Sequence, residues 1–295
     1  MEDELHDHDR GLAFDLSTLL NRRRALQLFG GAGLVALVGC ASKGGSSSAA
    51  TTAASGATST SSASTAKSAA STATTAATAT TAASAADTST PIPEETAGPF
   101  PGDGSNGPNI LTQSGIVRSD IRSSFGSGSG LAQGVPLTIN LQVLDNANGC
   151  TPLSGAAVYL WHCDIDGRYS LYSQGVTGEN YLRGVQETDS DGRVSFTSIF
   201  PAAYSGRWPH IHFEVYPSLT EATSAGTQLA TSQLALPEDT CNLVYATDGY
   251  GQSVKNMAQT SLATDNVFRD GATQQTPTMT GTIDTGLVAT LSVPV

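Results

Sequence analysis

The chain has 295 residues, 26 of them acidic against 14 basic, for a formal net charge of −12. That balance offers no basic stripe for nucleic acid and no charge-driven docking on anionic lipid. Charged residues make up only 14%, below the roughly 25% usual in soluble domains, and the deficit is local.

At the N-terminus, Arg22-Arg23-Arg24 precedes an apolar run from Ala25 to Val38, followed by Gly39-Cys40. The run is too short to span about 30 Å of hydrocarbon as a helix. Basic residues, a short apolar stretch and small residues at its end predict an export signal over 1–40. The segment around the arginines resembles a twin-arginine signal, and Leu37-Val38-Gly39-Cys40 resembles a lipobox. Cys40 is thus expected to carry lipid, anchoring the exported chain to the outer face of the bacterial cytoplasmic membrane, unless the chain is secreted. From 41 to 90, all residues but Lys43, Lys67 and Asp87 are Ala, Ser, Thr or Gly. With no apolar side chain larger than Ala, this stretch cannot offset its ordering entropy and is expected to be a disordered tether.

Both Trp and all eight Tyr fall between Tyr159 and Tyr250, so a packed domain is expected over 91–295. Leu137, Ile139, Leu141 and Val143 alternate with polar residues, the period-2 signature of a half-buried strand. Further strands are predicted at 156–162, 193–199, 211–216, 228–236 and 287–293. Gly- and Asp-rich clusters at 145–149, 164–167 and 189–192 separate them as turns. No window shows a convincing helical stripe. The fold class is therefore mostly β, a sandwich or barrel. Cys150 and Cys241 lie in loop-like contexts and are the candidate disulfide, leaving Cys163 as a small buried hydrophobe.

Beyond the leader only His162, His210 and His212 remain. His210-Ile211-His212 lies in a strand-like run, where alternate residues share a face, so both imidazoles aim at one side. Two such imidazoles are a common start to a metal site. Glu214, on the same face, would complete a two-histidine, one-carboxylate set for Fe(II), Mn or Cu, but sits close along the strand. Tyr204 and Tyr169 are the other candidates. His162, alternating with Tyr159 and Trp161, reads as structural. Asp164-Ile-Asp-Gly and Asp189-Ser-Asp-Gly look like calcium-loop fragments but are expected to be plain turns, because Ser198 stands where a calcium loop needs Glu.

Five segments together, within about residues 91–236, resemble the intradiol ring-cleavage dioxygenases. They are Gly155-Ala-Ala-Val-Tyr-Leu-Trp-His-Cys-Asp, Asp166-Gly-Arg-Tyr169, Thr188-Asp-Ser-Asp-Gly-Arg-Val-Ser-Phe, Ile199-Phe-Pro-Ala-Ala-Tyr204 and Arg207-Trp-Pro-His-Ile-His212-Phe. The resemblance implies the mixed β-sandwich of that family, here without an N-terminal helical dimerisation domain, in an exported lipoprotein of actinobacterial type. It implies one non-haem Fe(III) per chain, held by Tyr169, Tyr204, His210 and His212. Its partners would be O2 and a catechol-type molecule, cleaved to a cis,cis-muconate-type diacid. Tyr204 would be the displaceable phenolate and a general base, Arg207 would stabilise charge on the ring, and Gln233 would support it. Thr96-Ala-Gly98-Pro99-Phe100 resembles the segment lining the substrate pocket, with Phe at 100 where the family has Tyr. The rival readings are a non-catalytic β-sandwich binding module and the His210, His212, Glu214 metalloenzyme.

Overall fold

The structure, a computed structural model, describes residues 90–295. The expected signal, the lipidated Cys40 and nearly all of the tether lie outside the described residues.

The nine strands are β1 (Pro136–Asp145), β2 (Thr151–Pro152), β3 (Ala157–Trp161), β4 (Arg183–Glu187), β5 (Arg193–Ile199), β6 (His210–Tyr216), β7 (Ala230–Ala235), β8 (Thr278–Thr282) and β9 (Gly286–Pro294). One sheet runs β2-β1-β9-β8, with β5 also paired to β1; the other runs β4-β3-β6-β7. The β1–β9 pair is parallel, and the other pairs are antiparallel. The expected sandwich of mixed pairing is what forms.

Strand parity decides where the chemistry sits. Val158, Leu160, Ile211, Phe213 and Leu234 of the second sheet join Leu137, Ile139, Leu141, Phe196 and Leu291 of the first in one buried core. The opposite face of the second sheet carries Tyr159, Trp161, His210 and His212, since successive residues alternate sides. Loops cover that face instead of a sheet: Ala97, Phe100, Ile110, Leu111 and Tyr169 pack there in a second buried cluster with Tyr159 and Trp161. The site is therefore built between a sheet and its loop cover.

Among the described residues, three short helices, α1 (Leu219–Thr223), α2 (Glu238–Tyr245) and α3 (Gly251–Met257), carry no stripe legible in the sequence. The Cys150–Cys241 disulfide does not form. Glu238-Asp-Thr-Cys-Asn is helix rather than loop, and the fully buried Cys241 thiol donates to the Leu236 carbonyl at 3.8 Å. Cys150 lies across from Asn146, with its sulfur 3.6 Å from the side-chain oxygen. Cys163 is buried, as expected.

Candidate metal centre

On β6, His210 pairs across from Ala235, while His212 lies between Trp161 of β3 and Gln233 of β7. Directly opposed residues of antiparallel strands share a face. The Trp161 indole accordingly stacks on the His212 ring at 4.9 Å between centroids and 6° between planes. The two imidazole Nε2 atoms stand 3.1 Å apart. His210 Nδ1–H donates to the Trp208 carbonyl at 2.6 Å, which leaves Nε2 as the lone-pair nitrogen.

Two loops bring phenols to the same point. Tyr169 follows the Asp164–Gly167 turn, where Asp164 Oδ1 accepts from the Asp166 and Arg168 backbone N–H groups. Its hydroxyl is 3.3 Å from His210 Nε2. Tyr204 Oη lies 3.1 Å from the same nitrogen. Tyr169 is 1% exposed, whereas Tyr204 is only partly buried.

These four atoms fit a cation. Ligands about 2.1 Å from a common ion and roughly at right angles stand about 3.0 Å apart, close to the spacings observed. Burial, with the Arg207 charge second, drives His210 well below the usual imidazole range. Burial and then the neighbouring His210 do the same to His212. Both rings are thus neutral lone-pair donors, and His212 Nδ1 has no hydrogen-bond partner among the described residues. Burial, followed by Tyr204, raises the Tyr169 phenol well above its ordinary value. A phenolate there needs a close positive charge, and a highly charged hard ion would supply it.

Glu214 does not join them. Its Oε2 accepts from the Tyr216 hydroxyl at 2.7 Å, one rung along β6 opposite Tyr159 and Thr231. Among the described residues no three of His, Cys, Asp and Glu assemble as a metal site. The carboxylate alternative therefore lacks its third ligand. His162 is a buried strut: its ring nitrogens meet Ser198 Oγ at 2.7 Å and the Cys163 carbonyl at 2.8 Å.

Around the four donors lies a polar scaffold. Arg207 is 1% exposed and its Nη1 is 3.5 Å from His210 Nε2. Its Nη2 donates to Gln233 Oε1 at 2.7 Å, and Gln233 Nε2 donates to the Thr96 carbonyl at 2.8 Å. Gln233 thus joins the arginine to the 96–100 segment. Within that segment Gly98 N–H donates to Thr96 Oγ1, and the Pro99 carbonyl accepts from Asn106 Nδ2. The Phe100 ring packs 4.9 Å from that of Tyr169.

Two participants carry no sequence signal. Arg183 is buried and donates to the Phe100, Pro101 and Ser170 carbonyls, to Tyr159 Oη and to Ser170 Oγ. Asp265 accepts from Arg207 Nε at 3.0 Å and from the Trp208 N–H at 2.7 Å. Glu238-Asp239, directly after Pro237, is by contrast a recognisable helix start. The segment after α2 braces the Tyr204 loop. Ser253 Oγ accepts from Ala203 N–H, and Asn256 Nδ2 donates to its carbonyl.

A family model described as Dioxygenase matches residues 106–257, just over half of the chain. Among curated proteins, chlorocatechol 1,2-dioxygenase of Rhodococcus opacus is 39% identical over 54 residues, 18% of this chain and 21% of that protein. Catechol 1,2-dioxygenase 2 of Acinetobacter lwoffii is 37% identical over 54 residues, 18% of this chain and 19% of that protein. The matches thus span about a fifth of those relatives. Among solved structures, an intradiol ring-cleavage dioxygenase from Tetranychus urticae superposes with a TM-score of 0.54 at 24% identity, covering 70% of this chain and 94% of that one. That likeness bears on the fold.

Proposed function

The chain belongs to the dioxygenase family, and on that premise we propose that it opens the ring of a catechol-type aromatic between its two hydroxylated carbons, using O2 and one non-haem Fe(III). Both oxygen atoms enter the product, a cis,cis-muconate-type diacid. The observation that carries this reading is the convergence of Tyr169 Oη, Tyr204 Oη and His212 Nε2 within 3.3 Å of His210 Nε2.

Tyr169, Tyr204, His210 and His212 would hold the ion. Bound there, ferric iron supplies the Lewis acidity and electron-accepting character that make a catecholate reactive towards O2. Tyr204 is the phenol with solvent access, so its Oη is the group suited to take up a substrate hydroxyl proton. Tyr169 is walled in by Phe100 and stays in place. Arg207 presents Nη1 beside the donor cluster, where a cation stabilises negative charge developing on the substrate ring. Phe100 lays an apolar ring against Tyr169 in the segment that, by its resemblance, would line the substrate pocket, and there it would exclude water. A tyrosine there would bring a hydroxyl to that wall, so Phe100 favours rings with apolar substituents.

The test is the visible spectrum of the iron-supplied protein before and after anaerobic addition of catechol. A red-brown tyrosinate band, shifted to longer wavelength by catechol and restored on admitting air as a diacid appears, is the expected result. A colourless protein with iron supplied rejects the site.

We further propose that the chain works outside the cytoplasm, tethered through lipid on Cys40. The arginine triplet, the short apolar run and Leu37-Val38-Gly39-Cys40 support this. Radiolabelled palmitate should enter the wild-type chain in a bacterial host and not Cys40→Ser; equal labelling would reject the anchor.

A further inference from the structure

We infer that Asp265 is a positioning residue for this site: it fixes the orientation in which Arg207 faces the four metal donors. The inference rests on the ring-cleavage reading of the site, and Asp265 lies beyond residues 106–257 that match the family.

Arg207 and Asp265 are 1% and 0% exposed. A guanidinium buried this deeply needs a counter-charge, and Asp265 supplies it at 3.0 Å. The guanidinium is a rigid planar fork. With Nε tied to Asp265 and Nη2 tied to Gln233, the plane is fixed and Nη1 is held towards His210 Nε2.

The carboxylate is itself immobilised. Its Oδ1 accepts from the Val267 and Phe268 N–H groups at 2.8 and 3.2 Å, and both of those residues are buried in the main core. Its Oδ2 also accepts from Trp208 N–H, whose residue's carbonyl takes the His210 Nδ1 proton. One anchored carboxylate therefore holds the arginine in place from behind. Asparagine is a poor replacement, because its NH2 would have to face either the two N–H donors of the 267–268 turn or the donors on Oδ2.

The test compares the full-length wild type, D265N, R207Q and the double variant, with D265E as the conservative control. If Asp265 acts through Arg207, D265N should keep iron near wild-type stoichiometry and change KM less than threefold. Its kcat should fall roughly 100-fold, as for loss of one charge-stabilising donor. In the R207Q background, D265N should add less than threefold, and D265E should recover kcat to within about tenfold of wild type. A readout independent of turnover is the Arg207 Nε–H resonance of the metal-free protein, expected to lose its protection from exchange in D265N. Multiplying losses in the double variant, or an unchanged Nε–H resonance, would overturn the inference. Should D265N fail to fold, the same cycle with D265E decides it. A wild type that cleaves no catechol rejects the ring-cleavage reading, while the resonance still reports on Asp265.

Discussion

Replacing Arg183 by methionine tests whether the loop cover and the metal centre are one mechanical unit. All five guanidinium N–H groups go to neutral oxygens: Ser170 Oγ at 3.1 Å, Pro101 O at 2.8 Å, Tyr159 Oη at 2.9 Å, Phe100 O at 2.9 Å and Ser170 O at 3.0 Å. Methionine fills most of the volume and donates nothing. The Pro101 carbonyl keeps the Tyr159 hydroxyl at 2.6 Å, but the Phe100 and Ser170 carbonyls each lose a donor. At roughly 1–3 kcal/mol for a buried acceptor left unsatisfied, the gross loss is about 2–6 kcal/mol. Relief from burying a charge offsets part of it, for a net of about 2–4 kcal/mol. In a domain of this size that lowers Tm by about 5–15 °C. The two carbonyls flank the contact between Phe100 and Tyr169, so bound iron per chain should fall as well. Arg183→Lys should be at least as damaging, since the charge stays buried with only three donors. Urea unfolding and iron analysis measure both effects. Wild-type stability within 1 kcal/mol together with full iron in R183M would refute the reasoning.

Tyr169→Phe should lose the visible band and more than about 100-fold in iron affinity, whereas Tyr204→Phe should keep more iron and lose turnover; titration with ferric iron separates them. Burial, helped by the Asp270 charge, pushes the Glu95 carboxyl up to about 7 from 4.5. The folded state therefore binds that proton more tightly, and stability should fall as pH rises from about 4.5 to 7. The loss is at most about 3 kcal/mol before solvent screening, and Glu95→Gln should abolish it in urea midpoints measured across pH. His162 works in the opposite sense: burial pushes it down to about 4, so its contribution to stability is lost as pH falls from 6.5 to 4. Burial raises the Cys163 and Cys241 thiols far above the usual range. Of the cysteines among the described residues, native alkylation read by intact mass should therefore modify Cys150 alone.

The β1, β5 and β9 strands were legible because one face is buried and the other is wet, which writes a period of two into the residues. Arg183-Gly-Val-Gln-Glu gave no such signal, since β4 begins with a buried arginine and a glycine. Gly184 is there because a Cβ would lie 2.5 Å from Ile121 Cγ2. In β8 only Met279 is buried, and its remaining residues are Thr and Gly. The helices hold five to eight residues, too few turns for a stripe to show. At the site, His210 and His212 were findable because residue type and strand parity put both imidazoles on one face, whereas Tyr169 and Tyr204 sit in loops and were reached as ligands only through the family resemblance of the segments that carry them. Asp265 was not findable, because it meets Arg207 across 58 positions of chain and its own neighbours announce only a turn.

The turn before Tyr169 shows how backbone and site constrain each other. Gly167 sits at φ +79°, and a Cβ there would lie 3.1 Å from Tyr204 Cβ. Alanine must therefore accept a left-handed conformation costing roughly 1 kcal/mol and press on the loop of the second phenol. That loop is held from behind by Ser253 and Asn256, so the side chain, not the backbone, should give way by a few tenths of an ångström. Iron should stay bound through Tyr169 and the two histidines, while kcat falls about tenfold from displacement of the Tyr204 hydroxyl. Steady-state kinetics and iron content of Gly167→Ala check this. A variant that loses only the roughly 1 kcal/mol of stability, with kcat intact, would mean that the Tyr204 phenol is placed by the centre itself and not by the turn against which it packs.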